Sequence, residues 1–403
     1  MLLLGLNNME NMRKVKGLAI LKEHRIKKIE GGFLVPSQNS NKNYFVAEHD
    51  FECTCPDCKN RQLTCKHAYA VKYFLGIEKT NEGVKTIEKV PLTYTQAWNT
   101  YNEAQQNEVE QFDVLLKDLL ENVEEPTYEF GRPTLSKQET LFCAIKKVYS
   151  QMSSRRAKGL FNQANEREFI KKSPHFNAVS KLLNEKETET ILEKLILLSA
   201  QPLKSVETSF AVDSSGFRTT TFNSYCQDKH GASKKHKYLK AHILVGTKTN
   251  IICSAKVTSE YVNDCPQFSG LVQSINGFDI QEVSADKTYN SINNTNVVHE
   301  LGATAYIPYK SNVTASVHSG NRGKLWRKMF HYFNMNQEEF LQHYHKRSNV
   351  ETTFHMIKAK LGDSLKSKNE TAQKNELLCK IIAHNIIVLN QETHELNKKQ
   401  ICS

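Results

Sequence analysis

The sequence predicts an α/β protein whose second half is a mixed-sheet domain, preceded by a small cysteine-rich module and a helical region. Three observations carry that prediction. Apolar residues recur at helical spacing between Thr93 and Ser199, and the period changes to two after Pro202. Cys53, Cys55, Cys58 and Cys65 cluster near the N-terminus. A chain of 403 residues exceeds one ordinary domain, so two or three are expected.

Within residues 16–73, the short apolar stretches Gly32-Phe33-Leu34-Val35 and Tyr44-Phe45-Val46-Ala47 are separated by Asn, Ser and Gly, which predicts a small β-rich module. From Thr93 to Glu125 the pattern is helical, with Leu115, Leu116, Leu119 and Leu120 on a stripe that stops before Pro126. Gly131-Arg132-Pro133 punctuates the chain. Ser136-Lys137-Gln138-Glu139 has capping-box spacing and starts a helix to about Tyr149. After a break at 150–153, residues 154–161 read as another helix, followed by helices at 179–183 and 188–199.

Ser209-Phe210-Ala211-Val212-Asp213 reads as a buried strand ending in a carboxylate. Residues 241–246 and 251–257 form a hairpin about 247–250. Then follow a helix at 265–275, a strand at 281–286, a helix at 291–301, a strand at 304–308 and a largely helical stretch at 337–390. The order β, ββ, α, β, α, β, then helices suits a mixed sheet. The expected domains are 1–80, the cysteine module; 81–130, a helical linker; 131–204, a second helical region; 205–392, the sheet domain; and 393–403, a tail.

Lysine and arginine outnumber aspartate and glutamate by 54 to 43, a formal charge of +11. That excess favours a polyanionic partner, although a solvated basic surface has the same composition. Of ten cysteines, those outside the cluster sit singly, as in Leu141-Phe142-Cys143 and Leu378-Cys379, which does not suit a disulfide framework. Clustered cysteines instead suit metal binding in a reducing compartment. Met1-Leu2-Leu3-Leu4 is too short for a signal segment and no apolar run approaches a membrane span. A soluble intracellular protein, with no membrane partner, is expected.

Cys53-x-Cys55 followed by Cys65-x-His67 offers three thiolates and an imidazole, a complete tetrahedral shell for one structural zinc ion. Cys58 is the rival ligand, because Cys55-x-x-Cys58 is itself a chelating pair. Unmetallated cysteines are the plain alternative, disfavoured because clustered exposed thiols oxidise. The pattern resembles the SWIM zinc finger over about residues 16–78, and that resemblance favours Cys53 over Cys58. Four protein ligands leave no open position, so the zinc would fold a module that grips DNA or a protein partner.

Three carboxylates stand out later. Asp213 and Asp286 each end an apolar strand, and Glu351 lies in the late helix. Converging carboxylates suit hard divalent cations, and a metal pair activates an attacking oxygen while stabilising a leaving one. Singly, an aspartate at a strand end is more often a turn or cap. Tyr344, Arg347, Glu351 and Lys358 fall within roughly a 60° stripe of one helix face, beside an apolar stripe of Val350, Phe354, Ile357 and Leu361. A solvated charged face with an incidental glutamate has the same geometry.

The spacing Tyr-x2-Arg-x3-Glu-x6-Lys, met by Tyr344, Arg347, Glu351 and Lys358, resembles the motif around the last carboxylate of a large group of insertion-sequence DDE transposases. Ser284-Ala285-Asp286-Lys287-Thr288-Tyr289-Asn290-Ser291 and its continuation through Lys310 resemble the family's middle block. Phe210-Ala211-Val212-Asp213-Ser214-Ser215 resembles its first block. The resemblance covers about residues 205–390. It implies a ribonuclease-H-like fold, with Asp213, Asp286 and Glu351 catalytic and holding two Mg2+ (or Mn2+). It also implies that Tyr344, Arg347 and Lys358 contact DNA near the scissile phosphate.

The implied activity is DNA transposition in a prokaryotic cytoplasm, with double-stranded DNA as the partner and a homodimer acting on it. Such an enzyme binds the terminal inverted repeats of its element, hydrolyses the end phosphodiester and joins the 3′-hydroxyl to target DNA. The chain between Asp286 and Glu351 is short, so the large β-rich insertion of hairpin-forming relatives is absent and hairpin chemistry stays open. Two other readings are a nuclease or resolvase of the same fold and a retired transposase acting as a DNA-binding regulator. Intact carboxylates argue against retirement.

Arg155, Arg156 and Lys158 open a helix after a short break, as in a helix-turn-helix, so the 131–204 region is expected to bind DNA ends. A solvated basic helix start is the plain alternative. Lys234, Lys235, His236, Lys237 and Lys240, and then Arg322, Lys324, Arg327 and Lys328, are expected along the DNA path.

Overall fold

The computed structural model describes residues 13–21, 26–38, 42–61, 64–75, 98–126, 130, 135–219, 238–275, 277–314 and 323–401. Gly131-Arg132-Pro133, Lys234, Lys235, His236, Lys237 and Arg322 lie outside the described residues. The chain divides into two units, Met1–Tyr94 and Thr95–Ser403.

The first unit holds a three-stranded antiparallel sheet of β1 (Lys27–Ile29), β2 (Gly32–Pro36) and β3 (Asn43–Ala47). Gly31, at φ +81, makes the β1–β2 turn, where a side chain would be strained. The helices are α1 (residues 13–21), α2 (Pro56–Arg61) and α3 (Lys66–Phe74). Ile20, Phe33, Val35, Val46, Ala68 and Val71 share one small core with Cys53, Cys55 and Cys65.

The second unit is built on five strands: β4 (Ser209–Arg218), β5 (Tyr238–Gly246), β6 (Ile252–Ser259), β7 (Glu282–Ala285) and β8 (Thr304–Tyr306). Their order is β6-β5-β4-β7-β8. The first three form an antiparallel meander, and β7 and β8 run parallel to β4. Parallel pairing needs crossover helices, supplied by α9 (Gln267–Gln273) before β7 and α10 (Ile292–Glu300) before β8.

Both faces of the sheet are buried, which is why its strands read as continuous apolar runs. Phe210, Val212, Leu244 and Val283 pack with Phe268, Leu271 and Val298 of the crossover helices. On the other face, Ala211, Phe217, Ile243 and Val245 meet α13 (Ser348–Leu361) and α14 (Glu370–Ile401). That core extends without a break at residue 204 into α4 (Trp98–Leu120), α5 (Lys137–Tyr149), α6 (Lys158–Glu166), α7 (Phe176–Leu183) and α8 (Glu187–Ala200). Between β8 and α13 come α11 (Lys324–Met335) and α12 (Gln337–Tyr344). No helix among the described residues is long and apolar enough to cross a membrane.

Three local departures from the sequence reading have physical causes. Strand β4 continues past Asp213 to Arg218, because β5 goes on pairing with it as far as Tyr238. The helix expected at 154–161 starts only at Lys158, after a turn at 154–157. The late helix is broken by a 3-10 turn, His345–Arg347, where three basic side chains fall together. At α5 the capping box closes on one side only: Ser136 Oγ accepts from Glu139 N at 3.1 Å. The remaining donors of that helix start go to Glu125, which accepts from Lys137 N and Gln138 N.

Buried polar groups on α14 seal the sheet. Asn385 accepts from Ile252 N at 2.9 Å and donates to Ile252 O at 2.7 Å, pairing main-chain groups on the outer strand β6. His384 Nε2 lies 3.0 Å from the Asn250 carbonyl, at a turn residue with φ 63. Burial holds the His384 pKa at about 4, below its ordinary 6.5. The unfolded chain therefore binds that proton more readily, so the contribution is full above the ordinary pKa and is lost as pH falls through the folded one. Urea midpoints between pH 6.5 and 4 should show the parent losing up to about 3 kcal/mol more than His384→Gln. Parallel pH profiles for the two proteins would refute this.

Candidate active site

The parallel ladder between β4 and β7 ends with Val212 opposite Ala285. The next residue in each chain segment is an aspartate, Asp213 within β4 and Asp286 just past the end of β7, so two carboxylates stand at one level side by side. Strand alternation sends Ala211, Asp213, Ser215 and Phe217 toward one face, and Ala211 and Phe217 lie in the core shared with α13. Asp213 accepts from Ser214 N at 2.8 Å. Asp286 accepts from Lys287 N at 2.7 Å and caps the short turn Lys287–Tyr289.

Helix α13 brings the third carboxylate. Val350, Phe354, Ile357 and Leu361 bury one stripe in the core, and Glu351 stands in the first turn. Arg347 joins the helix to the strand: Nη2 lies 2.8 Å from Asp213 Oδ2 and Nη1 lies 2.7 Å from Glu351 Oε1. Tyr344, at the end of α12, is close enough for its pKa to be raised, first by burial and further by Asp286, Asp213 and Glu351. Lys358 lies farther along α13 and donates to Ser215 Oγ at 2.7 Å, with Nζ 5.2 Å from the Phe217 ring centre. The structure thus gathers Tyr344 and Arg347 with the three carboxylates, and sets Lys358 to one side along β4.

Electrostatics at the site are under-compensated. Burial raises the Asp213 pKa, and repulsion from Asp286 and Glu351 adds to it, while the Ser214 amide and Arg347 oppose. The Arg347 guanidinium pairs with Asp213 and Glu351, and Asp286 adds a third negative charge felt by Asp213. Such clusters are costly unless cations complete them.

A second ion cluster, unforeseen from the sequence, fastens the same segment to the sheet. Glu282 opens β7 and is buried, accepting from Ser209 Oγ at 2.6 Å and pairing with His343 and Lys346. Burial alone would raise its pKa, but hydrogen bonds from Lys346, Ser209 and His343 outweigh that and hold it low. The His343 ring stacks on Tyr306 with centroids 4.3 Å apart. Its sequence signal is slight: an acid at the head of an apolar strand, and two bases beside the Tyr344–Arg347 spacing.

In the first unit, ligand atoms of Cys53, Cys55, Cys65 and His67 all lie within 4.8 Å of one another, and all four residues are buried. Among the described residues this is the one such group. His67 Nδ1 is 3.9 Å from Cys65 Sγ, and Nε2 is buried without a partner. Cys65 caps α3. A hydrogen bond from Cys53 lowers its pKa most, outweighing burial, with further help from His67 and the Ala68 amide. Cys58 is less buried, and its amide donates to Cys55 Sγ at 3.4 Å.

Among the basic residues, Arg155 and Arg156 are exposed in the turn before α6. Lys158 points inward and donates to Ser173 O at 3.2 Å and Pro174 O at 3.1 Å. Lys240 donates to Val262 O at 2.7 Å and pairs with Asp264 at 2.9 Å. Lys324 and Lys328 are exposed on α11, and Arg327 is partly buried.

Residues 204–386 match the family described as Transposase DDE domain, a stretch that contains Asp213, Asp286 and Glu351. The match supports a DNA transposase. No curated protein matches the chain. Among solved structures it is similar to a piggyBac transposase synaptic complex with hairpin DNA, at 11% identity and a TM-score of 0.33, over 72% of this chain and 73% of that one. A likeness that low carries no argument for fold or function.

Glu282→Gln keeps the hydrogen-bonding shape but removes the charge that Lys346 and His343 face. It should cost about 1–3 kcal/mol of stability and speed amide exchange across 343–351. Exchange in β5 and β6 should stay unchanged. Uniform acceleration over the whole unit would show that Glu282 does not fasten this segment in particular.

Proposed function

We propose that the chain is a DNA transposase whose second unit has the ribonuclease-H-like fold and cuts and joins DNA at Asp213, Asp286 and Glu351. The observation that carries this reading is the β4–β7 register, which sets Asp213 beside Asp286 where their pairing ends, with Arg347 tying Asp213 to Glu351. The strand order, three antiparallel then two parallel, supports the fold.

The donor set fits hard divalent cations, because Asp213 feels the negative charge of both Asp286 and Glu351, with Arg347 the guanidinium that offsets it. Asp213, Asp286 and Glu351 would hold two Mg2+ or Mn2+, which lower the pKa of an attacking water and stabilise the leaving oxygen. The chain's own contribution is position. Tyr344 and Arg347, beside the carboxylates, and Lys358, farther along β4, would bind the phosphates that flank the scissile bond. Exposed Arg155 and Arg156 would grip element ends, with Lys158 holding the turn that presents them. The partners would be terminal inverted repeats and target DNA, bound by a homodimer in a prokaryotic cytoplasm. On this reading 205–392 is catalytic and 131–204 recognises ends.

The first unit would be a SWIM-type module holding one structural zinc with Cys53, Cys55, Cys65 and His67. The Cys65–His67 separation of 3.9 Å is close to the roughly 3.6 Å between sulfur and nitrogen on one tetrahedral zinc. An imidazole buried with so little hydrogen bonding is costly unless a metal takes one nitrogen. Zinc would close the loops of a module whose apolar core is small. X-ray absorption should show one zinc per chain with three sulfurs and one nitrogen. A Cys53→Ser protein that keeps its zinc would reject this ligand set in favour of Cys58.

Glu351→Gln should abolish cleavage and joining in magnesium while leaving binding to element ends nearly intact. Joined product in the parent separates a transposase from a nuclease, which would give nicks alone. Comparable joining by Glu351→Gln would remove Glu351 from the site. In the same binding assay, alanine at both Arg155 and Arg156 should weaken element ends more than random duplex. Equal losses would make them general phosphate contacts.

A further inference from the structure

Arg347 occupies an unusual place for a residue expected to meet DNA. Its two terminal nitrogens are both engaged, one on Asp213 and one on Glu351, at 2.8 and 2.7 Å. Its side chain is only 19% exposed, as against 60% for Glu351. The Asp213–Arg347 pair is therefore the shielded half of the bridge, and Nε is buried without a partner. Burial alone would lower the Arg347 pKa, but Asp213, Tyr344 and Glu351 together outweigh it, so the guanidinium stays charged. The bridged oxygens belong to two of the three carboxylates assigned above to divalent cations.

A guanidinium at hydrogen-bond distance repels a divalent cation and takes the lone pairs that would ligate it. The two cations therefore compete for Asp213 and Glu351. Something must draw the arginine away, and its planar fork fits a phosphate as well as a carboxylate. Lys358 stands on the same helix, held by the neutral hydroxyl of Ser215, and gives an incoming phosphate a second positive group.

Resting on the metal-site reading, we propose that Arg347 is a resident counter-ion that keeps Asp213 and Glu351 from a divalent cation until a DNA phosphate draws it off. Metal and DNA then assist each other's binding. Linkage makes that help reciprocal: DNA tightens metal as much as metal tightens DNA. The DNA-free protein is thereby kept from loading divalent cations at Asp213 and Glu351.

The test is Mn2+ binding to the full-length protein with its zinc in place, followed by the electron paramagnetic resonance of free Mn2+. Parent, Arg347→Ala, Arg347→Gln and Arg347→Lys are compared, with Glu351→Gln identifying the site. Without DNA, the alanine and glutamine variants should bind Mn2+ at the Glu351-dependent site roughly tenfold tighter than the parent, within the usual range of site–site coupling. Lysine, which keeps the charge but cannot span both carboxylates, should fall between. Adding a DNA duplex should tighten Mn2+ binding in the parent and change it little in Arg347→Gln. Unchanged or weaker Mn2+ affinity in both neutral variants, with Glu351 dependence intact, overturns the counter-ion role and leaves the metal site standing. Absence of any Glu351-dependent Mn2+ binding in all four proteins overturns both.

Discussion

The ladder between β4 and β7 stops where its next rung would place Asp213 against Asp286. Parallel strands lie about 4.8 Å apart, so two carboxylates are fixed beside each other by backbone hydrogen bonds, whatever their mutual repulsion. The rest of the unit answers to that placement. The α9 and α10 crossovers are what parallel pairing requires. Arg347 supplies positive charge at the crowded end, and Glu282 draws His343 and Lys346 down at the other end of the same strand pair. The segment before α13 is thus held on both sides of its turn by opposite charges.

Burial on both faces makes this arrangement stiff. Among the helices packed on the α13 side, α14 contributes polar side chains at the sheet margin. Asn385 pairs with both main-chain groups of Ile252 and also donates to Ser199 Oγ at 2.8 Å. A buried amide that is hydrogen-bonded costs little, while the same amide out of register leaves several groups unsatisfied. The helices are thereby held in register with the strands as well as by shape.

Much of this was legible in the sequence because it is local. Cys53, Cys55, Cys65 and His67 form pairs whose spacing already matches a tetrahedral shell. Runs such as Phe210–Asp213 and Val350–Leu361 carry their own period. Glu282 was not legible, because its partners His343 and Lys346 are 61 and 64 positions away and nothing local marks the pairing. Strand β4 was read too short, since Ser214, Ser215 and Gly216 break the apolar pattern while their backbone still pairs with β5. The direction of Lys158 was equally hidden: a basic residue near a helix start looks solvated until Ser173 and Pro174 fold over it.

The far end of α13 is tied to the strand that carries Asp213. Arg218 N donates to Asp363 O at 3.0 Å, and Leu365 N donates to Arg218 O at 2.8 Å. Lys380 meanwhile donates to the carbonyls of Leu361, Gly362 and Ser364. Strand and helix are therefore joined near Gly362 like the legs of a compass, with Arg347 bridging their far ends. Eleven residues at about 1.5 Å each put Glu351 about 16 Å from Gly362, so a tilt of about 3.5° there would carry it about 1 Å relative to Asp213. The spacing of the two carboxylates that Arg347 bridges is thus as sensitive to the angle of α13 as to any side-chain rotamer.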